Sequence, residues 1–135
     1  MTQFKVVLDS PAAIRSHLRY GIEPEGFNTV GVRFVLCDPE NVVRAHFHMT
    51  EIPVNADDVD CAEKVTLFAR TLADGFSGAA ILLALTRPGP PTLTQSDRRW
   101  FRAAHKVCAL HEVRLLGVHV VTPRGQREVV LDDAL

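Results

Sequence analysis

Ala79-Ala80-Ile81-Leu82-Leu83-Ala84-Leu85 is the stretch that decides the fold, because it is short and apolar throughout. A run of this length without alternation is typical of a strand that is buried on both faces of a sheet. We therefore predict that it forms the middle strand. It leads through Thr86 into Arg87-Pro88-Gly89-Pro90-Pro91, whose prolines cannot continue a helix or a strand. A rigid loop is expected after the central strand.

The residues after this loop predict a helix. Thr94-Gln95-Ser96-Asp97 has the spacing of a capping box, in which a hydroxyl and an acidic side chain bond the first free backbone N–H groups. The apolar stripe of this helix comprises Trp100, Phe101, Ala104, Val107 and Cys108. Its solvent-exposed side comprises Arg98, Arg99, Arg102 and Lys106.

Upstream, the alternation from Thr29 to Met49 predicts a β-hairpin whose turn is Asp38-Pro39-Glu40-Asn41. With that turn, one face of the hairpin is apolar and is expected to form the core: Val32, Phe34, Leu36, Val43, Ala45, Phe47 and Met49. The opposite face is expected to carry Arg33, Cys37, Arg44, His46 and His48, with Arg33 across from His46.

Two more helices and two more strands complete the prediction. A helix begins after Ser10 and ends at Gly21, and a second, capped by Asn55 or Asp57, ends at Gly75 and packs on the hairpin. The second helix has an apolar stripe of Cys61, Ala62, Val65, Phe68, Ala69 and Leu72. Leu115–Thr122 and Glu128–Leu131 are predicted strands joined at Pro123-Arg124-Gly125. The fold class is α/β, with a mixed, mainly antiparallel sheet and helices packed on its faces.

Length and composition indicate one domain spanning residues 1–135, since 47% of the residues are apolar and 23% are charged. A formal charge of −1 provides no overall attraction for phosphates, so binding to nucleic acid is not expected. Cys37, Cys61 and Cys108 are too far apart in sequence to suggest a zinc knuckle or a disulfide framework. Without a membrane-spanning run or a signal peptide, we expect a cytoplasmic protein that does not contact a membrane.

The loop between the central strand and the following helix is where open α/β folds place ligands. The run from Ala79 to Thr122 resembles the signature half of the JAB domain, also called MPN or JAMM, and most of all its bacterial RadC-like branch. The shared frame is the strand, the proline-rich loop, Thr-x-x-Asp, the amphipathic helix and the closing strand around His119. The resemblance implies a JAB-like fold with the layering of cytidine deaminases.

In that family a His-x-His pair at the end of the strand and the Asp of a Ser-x-x-Asp motif hold zinc. Laid on this pattern, Leu85 and Arg87 occupy the two His places, Thr94 the Ser place and Asp97 the Asp place, with a loop one residue shorter. Leucine has no lone pair, and a guanidinium stays cationic and repels a metal ion. We therefore expect no zinc or other cofactor at this site and no catalytic residue.

The resemblance thus implies a catalytically inactive JAB/RadC-like domain that acts in partner binding or scaffolding. Its partner is an unknown protein, and the family also implies a possible homodimer. Arg87, Thr94 and Asp97 are the candidate residues of a loop that binds the ligand or partner. If the domain follows this pattern, Arg87 and Asp97 are expected to form a salt bridge in which an internal cation replaces the ion.

Two other functions remain open. His46 and His48 place two imidazoles on one strand face, so a zinc-dependent peptidase or isopeptidase could use them as a relocated metal site. Its third ligand would be a residue such as Asp97, or a water. A weak DNA-associated RadC-like domain would use the basic stripe of the third helix. His17, His105, His111 and His119 are expected to have no catalytic role, and the spacing of the cysteines does not favour a Cys-His nucleophile.

Overall fold

A computed structural model describes residues 5–22, 26, 28–50 and 56–134 of this chain. The described residues form three α-helices, one five-stranded sheet and a short 3-10 helix at Leu131–Ala134. In chain order the helices and strands are α1 (Pro11–Tyr20), β1 (Gly31–Cys37), β2 (Val43–Met49), α2 (Asp58–Gly75), β3 (Ala80–Thr86), α3 (Gln95–Leu110), β4 (Arg114–Thr122) and β5 (Gly125–Val129). This order confirms the prediction.

The strands are arranged as β2-β1-β3-β4-β5. β1 is antiparallel to both of its neighbours, β4 is antiparallel to β5, and β3 and β4 are parallel. The parallel pair follows from the crossover through α3, which returns the chain to the same end of the sheet. The mixed, mainly antiparallel class is confirmed, and β3 is the middle strand.

All seven residues of β3 are buried because helices cover both faces of the sheet. Ile81, Leu83 and Leu85 pack in the core beneath α2 and α3. Ala80, Leu82 and Ala84 pack on the opposite face with Ile14 and Leu18 of α1. The apolar run of β3 therefore supplies both cores.

The hairpin forms as predicted, and Asn41 N–H donates to the carbonyl of Asp38 across its turn at 2.9 Å. The Asp38 carboxylate fixes the turn further by accepting from the N–H groups of Glu40 and Val42. On the face of the hairpin that points away from α1, the ring of Phe68 on α2 stacks on Phe34 with 4.2 Å between centroids. The predicted packing of α2 on the hairpin is confirmed.

The assignment of faces along β2 was wrong at its first residue. A β-bulge between Leu36 and Cys37 pairs Leu36 with Ala45 but Cys37 with Val43, so Val43 lies with Cys37 on the α1 face. A bulge inserts one residue into one strand and thereby shifts the alternation. The register of the pair also differs from the prediction, since His48, not His46, lies opposite Arg33, and His46 lies opposite Val35.

The element ends follow their capping residues. α1 begins after Ser10, whose hydroxyl accepts from Ala13 N–H, and ends at Gly21. Asp57 caps α2, whereas the alternative cap Asn55 lies outside the described residues. β5 begins at Gly125, earlier than predicted, because Gly125 pairs with Thr122 directly across the two-residue turn.

Candidate functional site at the end of β3

The start of α3 forms the predicted capping box. Thr94 Oγ1 accepts from Asp97 N–H at 3.2 Å, and Asp97 Oδ2 accepts from Thr94 N–H at 2.8 Å. These two bonds satisfy backbone donors that a helix leaves free in its first turn. They also hold the Asp97 carboxylate against the loop that leaves β3.

Arg87 and Asp97 meet across this loop in a bidentate ion pair. Arg87 Nη1 donates to Asp97 Oδ1 at 2.6 Å, and Nη2 donates to Oδ2 at 2.8 Å. Nη2 also donates to the carbonyl of Thr92 at 2.6 Å, which ties the middle of the loop to the pair. The predicted salt bridge is confirmed, and with 2% of its side chain exposed Asp97 is a buried carboxylate whose charge is compensated by a fixed guanidinium.

A cleft of about 340 Å³ opens beside this pair. Its lining comprises Val30, Gly31, Val32, Leu85, Thr86, Arg87, Thr94, Ser96, Asp97 and Trp100. Leu85 and Arg87 share the cleft because residues two apart on an extended segment point to the same face. Trp100 is buried, whereas Val30 is 65% exposed. The cleft is therefore mostly apolar, with one ion pair whose two charges compensate each other.

The residues of this cleft do not fit the zinc ion that the family resemblance implies. Leu85 offers no donor atom, Arg87 is a permanent cation, and both oxygens of Asp97 already accept hydrogen bonds. Within residues 5–22, 26, 28–50 and 56–134, no three His, Cys, Asp or Glu side chains are grouped so as to hold a metal. These residues therefore do not support a zinc-dependent reaction at this cleft.

The structure does not bring His46, His48 and Asp97 together. His46 Nε2 lies 3.0 Å from His17 Nε2 of α1, on the α1 face of the sheet. Asp97 belongs to α3, which packs on the opposite face. The peptidase hypothesis therefore loses Asp97 as a third ligand. His17, for which the sequence predicted no role, is the residue that meets His46 instead.

His119 lies on β4 between Val118 and Val120, and its side chain faces α1. The residue is 4% exposed, and its Nε2 has no hydrogen-bond partner among the described residues. Glu128 Oε2 lies 3.9 Å from this nitrogen, which is beyond hydrogen-bonding distance. Burial lowers the pKa of His119, Glu128 acts to raise it, and Arg15 acts to lower it further.

The remaining histidines and the cysteines show no nucleophilic arrangement. His105 is exposed and stacks on Phe101, and His111 caps the end of α3. Burial raises the pKa of Cys37 and of Cys61 to about 11, and that of Cys108 to about 12. Because the thiolate is the nucleophile, these buried thiols are unreactive at neutral pH.

Three of the four basic residues on the exposed side of α3 form hydrogen bonds or ion pairs within the chain. Arg98 Nε donates to the carbonyl of Asp133 at 2.8 Å, and Arg102 forms an ion pair with Asp58 at 2.9 Å. Arg99 donates to the carbonyl of Ala56 at 3.5 Å. These contacts attach α3 to its neighbours, and they favour a structural role for the stripe over contacts with phosphates.

Comparisons with known proteins add no relative. The chain matches no protein-family model, and no curated protein and no solved structure is significantly similar to it. None of the helices in the described part of the chain is long and apolar enough to cross a membrane.

Proposed function

We propose that this chain is a catalytically inactive, cytoplasmic domain related to the JAB/RadC-like family, and that it binds a protein partner at the cleft beside β3. The observation that carries the proposal is the Arg87–Asp97 pair, in which a guanidinium bonds both oxygens of the carboxylate. In the family pattern this carboxylate is a zinc ligand. Here an internal cation compensates the same charge.

The arrangement of the elements supports this relationship. The buried strand β3, the proline-rich loop, the Thr94–Asp97 capping box, α3 and β4 follow one another in the order of the family frame. Leu85 and Arg87 lie in one cleft with Thr94. The three free cysteines are buried, as is usual for a protein of a reducing compartment.

We propose partner binding because the cleft is present although its lining does not fit a metal ion. Its lining includes buried Leu85 and Trp100 and the exposed Val30, and apolar hollows of this kind are typical of binding sites. The ion pair at its end offers polar groups of fixed position. A partner that inserts an apolar side chain next to a hydrogen-bonding group fits this lining.

Zinc content tests the inactive state. We expect the untagged protein, purified without chelator, to hold no zinc that depends on Asp97. Asp97→Asn keeps an oxygen for Arg87 and removes a metal-binding carboxylate. About one zinc per wild-type chain that Asp97→Asn abolishes, with the fold intact by circular dichroism, would refute the proposal.

Blocking the cleft tests partner binding. Ser96 is exposed and lines the cleft, so Ser96→Trp fills the opening. Ser77→Trp is the matched control, because Ser77 is exposed just before the other end of β3. We expect one protein to co-purify from the native host with the wild type and with Ser77→Trp but not with Ser96→Trp. If Ser96→Trp retains the partner, or if no protein co-purifies with the wild type, the proposed site is contradicted.

A further inference from the structure

His17 and His46 are joined where α1 crosses the edge strand β2. Their Nε2 atoms are 3.0 Å apart, their ring centroids are 4.9 Å apart, and the ring planes cross at 63°. The two residues are separated by 29 positions in sequence. Packing of the helix on the sheet, and not local sequence, therefore brings the two nitrogens together.

This distance suits two ligands of one metal ion. With metal–nitrogen bonds of ~2.0–2.1 Å, two nitrogens on one ion are about 2.9 Å apart at a right angle and about 3.3 Å apart at the tetrahedral angle. The observed 3.0 Å lies between these values. Without an ion, the same distance closes through one N–H···N hydrogen bond, in which one imidazole donates and the other accepts.

The two rings are carried by ordered elements. α1 is anchored by Ile14 and Leu18, which are buried against the sheet, and His46 lies in the β1–β2 ladder opposite Val35. The ring of His17 packs against Gly21, since a Cβ built on that glycine would lie 2.8 Å from His17 Cε1. Such a Cβ would also lie 2.6 Å from the His17 carbonyl oxygen, so glycine leaves room for both the carbonyl and the ring.

The chemistry of the two side chains fits a transition-metal ion. Imidazole is a preferred ligand of Ni²⁺, Cu²⁺ and Zn²⁺.

We propose that His17 and His46 form a two-histidine site for a divalent late first-row transition ion, with water in the remaining positions. Bound there, the ion joins α1 to the edge strand β2 and stabilises the covered α1 face of the sheet. The site is independent of the cleft at β3, because α1 and α3 pack on opposite faces of the sheet.

Ni²⁺ is the probe because it binds imidazole and because the cleft at β3 is tested with a different ion, zinc. The protein must carry no histidine tag. We expect calorimetric titration to show about one Ni²⁺ per chain, and we expect His17→Ala and His46→Ala each to weaken binding by more than about tenfold, since even outer-shell changes cost 10–100-fold. His46→Gln, which can still hydrogen-bond, should also lose the ion.

His48→Ala is the matched control. His48 is exposed on the same strand two residues from His46, and its Nε2 lies near Gly31, 2.8 Å from where a Cβ on that glycine would be. Its removal should leave Ni²⁺ affinity within about twofold, a difference of less than half a kcal/mol. Equal affinity of the wild type and the His17→Ala/His46→Ala double variant, or a loss as large in His48→Ala, would overturn the proposal.

A second measurement separates the metal site from a purely structural pair. Saturating Ni²⁺ should raise the thermal midpoint of the wild type and of Asp97→Asn, because an ion that binds only the folded state stabilises it. It should not raise the midpoint of His46→Gln. No Ni²⁺-dependent rise in the wild type would overturn the site while leaving the inactive cleft at β3 untouched.

Discussion

The Arg87–Asp97 pair determines the chemistry that is available at the end of β3. Asp97 is almost fully buried, and a buried carboxylate without a partner is costly. Arg87 supplies two charge-assisted hydrogen bonds in the planar geometry that a carboxylate accepts. The guanidinium therefore both stabilises the loop and prevents a cation from binding the same oxygens.

Removal of the guanidinium should be costly. Arg87→Met leaves Asp97 with the Thr94 N–H but without its counter-ion, so we expect the free energy of unfolding to fall by about 3 kcal/mol, the lower end for breaking a buried pair. Arg127→Met is the control, since its pair with Asp133 is longer, at 3.5 Å, and more exposed than the Arg87–Asp97 pair. It should cost no more than about 1 kcal/mol in urea unfolding. Equal losses in the two variants would contradict a special role for Arg87.

His119 should make stability depend on pH. Burial, opposed in part by Glu128, lowers the folded-state pKa of His119 below its ordinary value of 6.5, so the folded protein binds fewer protons than the unfolded chain. The stabilisation is complete above pH 6.5 and is lost as the pH falls from there toward the folded-state pKa. His119→Gln should flatten this part of the profile, measured by urea unfolding at successive pH values. A profile unchanged by His119→Gln would contradict the assignment.

At the scale of elements, local signals determine where helices and strands begin. The caps at Ser10, Asp57 and Thr94 and the turn Asp38–Asn41 lie where their residue types predict them. The bulge that moves Val43 to the other face could not be predicted, because it depends on how Asp38 bonds the turn. A second bulge at Leu116 similarly keeps Leu115 and Val118 in one core.

The Thr94 cap should contribute to stability through α3. Thr94→Ala removes the hydroxyl that accepts from Asp97 N–H, and loss of such a cap typically costs about 1 kcal/mol. Ser96→Ala, two residues away and exposed, should stay within about 0.5 kcal/mol of the wild type. A cost for Ser96→Ala that equals the cost for Thr94→Ala would mean that the capping hydroxyl does not stabilise the helix.

For the whole molecule, sequence patterns predicted the element order, the central strand and the Arg87–Asp97 contact. They did not predict that α1 covers the second face of the sheet, because α1 buries only Ile14 and Leu18. The His17–His46 pair follows from that packing and has no local signature. Residues that meet within one loop and helix turn can be predicted, whereas those that meet through packing cannot.

We propose that Leu85 and Arg87 stand, beside Asp97, where two zinc-binding histidines stand in the JAB family. The most direct measurement is therefore the zinc affinity of Leu85→His/Arg87→His, compared with the same variant carrying Asp97→Asn. We expect the double variant to gain one zinc per chain and Asp97→Asn to abolish this gain. Zinc binding by the double variant no tighter than by the wild type, in protein that remains folded, would contradict the claim.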